Sequence, residues 1–206
     1  MAEKSIRSFL QQTYPNKQLI IINDGTYTFK ELKEKNITEI KLNKKYILGE
    51  LRNMGLKEIP ENGIYLQWDD DDWHHPEIMR KQYEYMKSQS ADACLLKNQV
   101  QYFFNYNVAR IASNRIGTIM CKKKKAISYP TIAKSEDEYF FKQYTEQYHV
   151  VTWNNPEFYY IRFIHGHNTW DEEHFHLKSK PNTWSISQTA RKYLSTVLPL
   201  YNFIKT

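Results

Sequence analysis

Apolar residues follow two rhythms along this chain. Over residues 5–98, short continuous apolar runs alternate with segments whose apolar residues recur every three or four positions, the pattern of strands alternating with helices. Residues 5–12 read as a helix. Residues 18–23, with Leu19, Ile20, Ile21 and Ile22 in succession, read as a buried strand closed by Asp24 and Gly25. Thr28 is placed to cap a short helix through Lys35, and residues 39–42 form a second strand. Leu48, Leu51, Met54 and Leu56 lie near helical spacing, with Gly55 available to bend or end that helix. A third strand, residues 63–68, runs directly into Asp69, Asp70, Asp71 and Asp72; Pro76 then opens an amphipathic helix through Ser88, and residues 93–97 are again strand-like.

From about residue 99 the chain changes to short aromatic-rich strands, at 101–106, 118–121 and 158–164, with helices at 136–144 and 189–198. No internal repeat, low-complexity linker or second core interrupts the 206 residues, so one α/β domain is expected, a mixed and mainly parallel central sheet flanked by helices. Its halves, 1–98 and 99–206, then carry different tasks.

A hydrophobic content of 41% with 15% aromatics excludes a disordered chain. No apolar run is long enough to span a bilayer and the amino terminus lacks the apolar core of a signal peptide, which together point to a cytoplasmic protein. Cys94 and Cys121 sit in apolar strand-like segments without metal-ligand spacing and read as buried thiols. The net charge of +6 suits anionic partners. The densest basic block, Lys122 to Lys125, has no interleaved aromatics to stack on bases, so it reads as a solvated loop and nucleic acid is not the expected partner.

The acidic run changes the picture most. Four adjacent carboxylates repel one another, and a domain that places them at the end of an apolar strand calls for a compensating cation. Trp68 and Trp73 flank the run, and both are too large and apolar for an ordinary acidic loop. In open α/β sheets ligands bind beyond the carboxyl ends of strands, and two strand ends here carry acids, Asp24 and the run at 69–72. If those strands are parallel neighbours, the acids share one crevice.

Four blocks then resemble a known family in order. Residues 5–15 with their Gln-Thr-Tyr-Pro end, followed by the strand to Gly25, are similar to the opening of family 2 glycosyltransferases of the GT-A fold. Residues 51–56 resemble that family's "A-R-N-x-G" segment, residues 69–76 its "D-x-D-D-x-x-x-P" metal motif, and residues 135–137 its "E-D" element. The resemblance covers roughly residues 5–145. Members of the family open with a strand ahead of the first helix, whereas this chain starts at that helix. Either the sequence is part of a longer protein or another segment takes that strand's place.

The resemblance implies a GT-A-like Rossmann-type fold, a UDP-sugar or similar nucleotide-sugar donor, a Mn²⁺ or Mg²⁺ ion, a glycan or glycoconjugate acceptor, and transfer with inversion. It implies that Asp24 contacts the uracil, that Arg52 holds the nucleotide or diphosphate, and that Asp69 lies near the ribose. Asp71 would ligate the metal, with Asp70 and Asp72 as outer-shell or sugar-contacting groups, and Asp137 would be the general base. Residues 165–169 resemble an "H-G-x-N-T" element of some members, which implies a histidine here that ligates the metal or touches the diphosphate, with His165 the candidate metal ligand and His167 beside it; His174 and His176 follow in the same region. Trp73, Trp153 and Trp170 are candidates for a sugar-stacking platform. Two rival readings remain, a non-catalytic domain of the same fold that binds a glycan or partner, and a basic nucleic-acid-binding protein.

Overall fold

A computed structural model describes residues 2–29, 35–113, 116–166, 168 and 186–205. The chain opens with helix α1 (Ala2–Leu10), whose Ile6 and Phe9 are buried beside two small polar residues, Ser5 and Ser8. Strand β1 (Leu19–Asn23) pairs in parallel with β2 (Ile37–Lys41), Leu19 opposite Ile37. Most of the short helix expected after Thr28 falls outside the described residues. Helix α2 (Leu48–Lys57) then leads to β3 (Ile64–Leu66). After the acidic run come β4 (Trp73–His74), α3 (Ile78–Ser88) and β5 (Ala93–Leu96).

The second half supplies β6 (Asn98–Phe103), β7 (Val108–Ser113), β8 (Met120–Lys122), α4 (Glu136–Gln147), β9 (Val150–Trp153), β10 (Tyr160–Ile164) and α5 (Gln188–Val197). Among the described residues the strands form three sheets, β1-β2, β3-β8-β5-β9 and β4-β10-β6-β7. The mixed sheet architecture flanked by helices is the one expected. Its parallel pairs are β1–β2, β5–β9 and β6–β10; β8 runs antiparallel between β3 and β5, and β7 returns antiparallel on β6.

The alternation of β5 explains its complete burial. Ala93 and Leu95 face Phe140 and Tyr144 of α4, while Cys94 packs with Met86 and Leu96 with Ile78, both on α3. A strand covered on both faces reads as a continuous apolar run, which is why the sequence there does not alternate. Both cysteines are buried and free, and burial pushes each thiol up to about 12, so neither is a nucleophile at neutral pH.

The chain passes from the middle sheet to the third with only Lys97 between β5 and β6. Asn155 secures that junction: its Oδ1 accepts the Asn98 N–H (3.0 Å), and its amide donates to the carbonyls of Asn98 and Pro156 (2.8 Å each). The third sheet buries Val100, Tyr102, Ile161 and Phe163 against Ala190, Leu194 and Val197 of α5. No helix among the described residues is long and apolar enough to cross a membrane.

Candidate active site

The acidic run is held from outside its own segment. Ser5 donates to the carbonyl of Asp69 (3.0 Å) and accepts from the Trp68 indole (2.8 Å). One turn further along α1, Ser8 donates to the His74 carbonyl (2.9 Å) and accepts the His74 N–H (3.2 Å). Gln12 donates to the His75 carbonyl (2.9 Å) and accepts the Met79 N–H (3.2 Å), while the Thr13 N–H reaches the Pro76 carbonyl (2.8 Å). Residues 5–13 therefore grip both ends of the run. Small hydroxyls on the inner face of α1 allow this close approach and satisfy backbone groups that the turn leaves without ladder partners.

Arg52 anchors the near side. Its Nε donates to Glu136 Oε1 at 2.8 Å, its guanidinium lies 3.6 Å from Asp69 Oδ1, and it sits over the Tyr129 ring at 5.6 Å. Burial alone would weaken this cation's charge, but Asp69, Tyr129, Glu136 and Asp137 together raise its pKa above the usual value. The next residue fixes the loop that carries Tyr129: Asn53 donates to the Tyr129 carbonyl (2.7 Å) and accepts its N–H (2.9 Å). Gly49 allows the same loop to close, since a Cβ there would stand 1.9 Å from the Pro130 carbonyl oxygen. The Glu136 carboxyl is pushed up by burial, and Arg52 pulls against that.

The far side comes from β10 and the residues after it. His165 Nε2 lies 3.3 Å from Asp71 Oδ2, and the Asn168 amide donates to the same oxygen at 3.0 Å. Asn168 also donates to the Phe163 carbonyl (2.9 Å) and accepts the His165 N–H (2.9 Å), so it ties the turn to the carboxylate. Asp72 points the other way. It is buried, and accepts hydrogen bonds from the Tyr160 hydroxyl and from the Phe163 N–H (2.9 Å). Burial pushes its carboxyl well above the usual range and Asp71 adds to this, while the half-buried Arg162 opposes it.

Asp69 is raised by burial and by Asp71, against the pull of Arg52; the more exposed Asp70 is raised by the protein packed around it and by Asp71 and Asp69. At Asp24, burial is outweighed by the Tyr46 N–H (3.2 Å) and Lys45 (3.1 Å), which hold its carboxyl below the usual range.

One cavity of about 1730 Å³ joins these groups. Asp24, Arg52, Asp69, Asp70, Asp71 and Asp137 line it, together with Arg162 and Asn168. The acids of the two strand ends do share a crevice, although β1 and β3 are not paired. Arg162 and Asn168 were not chosen as site residues from the sequence; a lone cation inside an apolar strand, next to the His-Gly turn, was the available signal.

Other expectations change. Asp72 does not line the cavity and instead anchors the run to β10, so of its two expected roles only the outer one fits. Trp73 is buried in the core around Val100 and Leu194, and Trp153 packs against Tyr85 and Tyr159, so neither offers a sugar platform in this cavity. Trp170, His167, His174 and His176 lie outside the described residues. Among the described residues no group of three or more His, Cys, Asp and Glu side chains is arranged to hold a metal. Of the two expected metal ligands, Asp71 lines the cavity, whereas His165 contacts Asp71 (3.3 Å) and is not among the lining residues. Carboxylates such as those of Asp69, Asp70 and Asp71 suit a divalent ion that takes its remaining ligands from phosphate oxygens and water.

A family model for glycosyl transferase family 2 matches residues 1–132. Among solved structures, S. aureus TarS 1–349 in complex with UDP-GlcNAc aligns with a TM-score of 0.67 at 14% identity, over 95% of this chain and 61% of that one. The complex of the same protein with UDP aligns with a TM-score of 0.64 at 17% identity, over 79% and 56%. The chain thus spans less than two thirds of these relatives, and at such identities the likeness concerns the fold. No curated protein sequence matches.

Proposed function

The chain belongs to glycosyl transferase family 2, and from that premise we propose that it moves a sugar from a nucleotide diphosphate sugar, UDP-linked as in the TarS complexes, to an acceptor hydroxyl with inversion. The observation that carries this reading is the cavity lined by Arg52, Arg162, Asp69, Asp71 and Asp137, with the Arg52 guanidinium 3.6 Å from Asp69. Two half-buried cations beside carboxylates suit a ligand that brings both a diphosphate and a metal. Neither charge type alone would suit it.

In this proposal Asp24 reads the uracil edge, Asp69 hydrogen-bonds the ribose, and Arg52 and Arg162 bind the diphosphate. Asp71 and His165 hold Mn²⁺ or Mg²⁺, and Asn168 keeps the Asp71 carboxylate turned toward that position. The ion, when bound, neutralises charge on the departing diphosphate. Asp137, in the first turn of α4, takes the proton from the attacking hydroxyl on the opposite face of the sugar. Glu136 does not compete for that task, because Arg52 engages its carboxylate.

The test is calorimetric titration of UDP in the presence and absence of Mn²⁺, on the unaltered chain and on Asp71→Asn. Metal-dependent binding that disappears in the variant is expected. UDP binding indifferent to both metal and Asp71 would defeat the assignment.

A further inference from the structure

Most glycines in this chain have a local reason to be glycine. A Cβ at Gly49 or Gly63 would stand 1.9 Å or 2.8 Å from a proline carbonyl oxygen, one at Gly25 would press on the Asn23 side chain at 3.2 Å, and Gly166 has a φ of +80°. Gly117 has none of these reasons. Its backbone lies outside the left-handed region, and among the described residues a Cβ there would meet only Gln67 Nε2 at 3.6 Å and Asp69 Oδ2 at 3.7 Å, both ordinary contacts. Gly55 also has room, but its one neighbour is the aliphatic Ile22.

Gly117 instead faces the acidic part of the cavity, whose wall it forms together with Gln67 and Asp69. The two carboxylate oxygens of Asp69 differ there. Oδ1 takes the Gln67 amide (3.4 Å) and the Arg52 guanidinium (3.6 Å), which leaves Oδ2 beside the bare Cα of Gly117.

The short turn that carries the glycine, Ile116–Thr118, is fixed on both sides. Thr118 is buried; its hydroxyl accepts the Leu96 N–H (3.2 Å) and its carbonyl accepts from the Gln82 amide (2.8 Å). Ile119 donates its N–H to the Ile116 carbonyl (3.0 Å), and its own carbonyl accepts the Gln67 N–H (3.1 Å). A side chain at 117 would therefore not swing away with its backbone. It would project beside Oδ2.

We propose that Gly117 is a specificity-determining position, whose missing side chain keeps the space against Asp69 Oδ2 for the hydroxyl edge of the donor's ribose. The inference rests on the sugar-transfer reading, in which Asp69 hydrogen-bonds that ribose. A hydroxyl donating to a carboxylate oxygen comes within about 2.7 Å of it. A methyl 3.7 Å from the same oxygen crowds that approach, because non-bonded heavy atoms settle about 3.5–4 Å apart. The glycine serves the ligand rather than the fold. Its size sets how closely the ribose can meet Asp69.

The experiment is calorimetric titration of UDP and of 2′,3′-dideoxy-UDP, each with Mn²⁺, into the full unaltered chain, Gly117→Ala and Gly117→Val. UDP affinity should fall about tenfold or more in Gly117→Ala and further in Gly117→Val, the range that one misplaced methyl imposes on a fitted site. The dideoxy ligand lacks both ribose hydroxyls. It should bind the unaltered chain more weakly than UDP does, and Gly117→Ala should weaken it by less than about threefold. The melting temperature of Gly117→Ala should stay within about 2 °C, which separates lost binding from lost folding. UDP affinity in Gly117→Ala within about threefold of the unaltered chain would overturn the proposal, and so would equal losses for the two ligands. Failure of the unaltered chain to bind UDP with Mn²⁺ is a different result: it would defeat the sugar-transfer reading, and this inference with it.

Discussion

Removing Arg52 tests whether the cavity is organised around a buried ion network. Its Nε to Glu136 contact is 2.8 Å, and the two side chains are 16% and 4% exposed, so solvent screens the pair little. Arg52→Leu strands two carboxylates, Glu136 and Asp69, and should cost about 3–5 kcal/mol, the usual price of leaving a buried charge unpaired. At roughly 2–4 °C per kcal/mol for a chain of this size, that is a fall in melting temperature on the order of 10 °C. Glu136→Leu should cost less, about 2 kcal/mol, because Arg52 keeps Asp69 at 3.6 Å. The double variant should lose about 1.5–3 kcal/mol less than the sum of the two.

The cost of Arg52→Leu should also depend on pH. Burial raises the Glu136 carboxyl in the folded state above its unfolded value, and Arg52 opposes that rise. Without Arg52 the folded state holds the proton more tightly still, so its stability is greatest below the unfolded pKa and falls as pH rises through the folded one. Denaturant unfolding at pH 4.5 and 7.5, each as a four-member cycle, measures both effects with about those two pH values as the brackets. Additivity within about 0.5 kcal/mol, or a penalty that grows on acidification, would refute the network.

Gly49→Ala should lower stability by at least about 1–3 kcal/mol because the new methyl meets the Pro130 carbonyl; Gly117→Ala, whose nearest contacts would be 3.6 and 3.7 Å, should be nearly silent in the same thermal melt. Equal effects would show that the close approach at residue 49 is unimportant. Asp137→Asn should abolish sugar transfer while UDP affinity, measured by calorimetry, stays within about threefold, a difference below 1 kcal/mol; a silent substitution would favour a non-catalytic binding domain. Asn155→Ala should cost about 2–4 kcal/mol in urea unfolding, since three hydrogen bonds at the sheet junction are lost together. A loss under about 1 kcal/mol would mean that water replaces them.

Local order was largely legible in the chain. The strand at β1, the helix opened by Pro76 and the acidic run at a strand end all follow from spacing within a dozen residues, because periodicity and turn chemistry are short-range. The expectation that acids at two strand ends meet in one crevice also held. The roles within the run were not legible. Asp71 and Asp72 are neighbours of one residue type, yet one faces the cavity and the other is locked to Tyr160 and Phe163, a difference set by strand β10 rather than by the run.

The sequence by itself determined where charge, apolar length and turns lie, and hence an α/β chain with acids placed for a ligand. Tertiary structure alone decided which groups meet across it: Ser5 with Asp69 over 64 positions, Arg52 with Glu136 over 84 and His165 with Asp71 over 94. The physical reason is the same in each case. Spacing encodes the conformation of a segment, but the pairing of buried charges and strand edges depends on what the whole fold brings within hydrogen-bonding distance and removes from water.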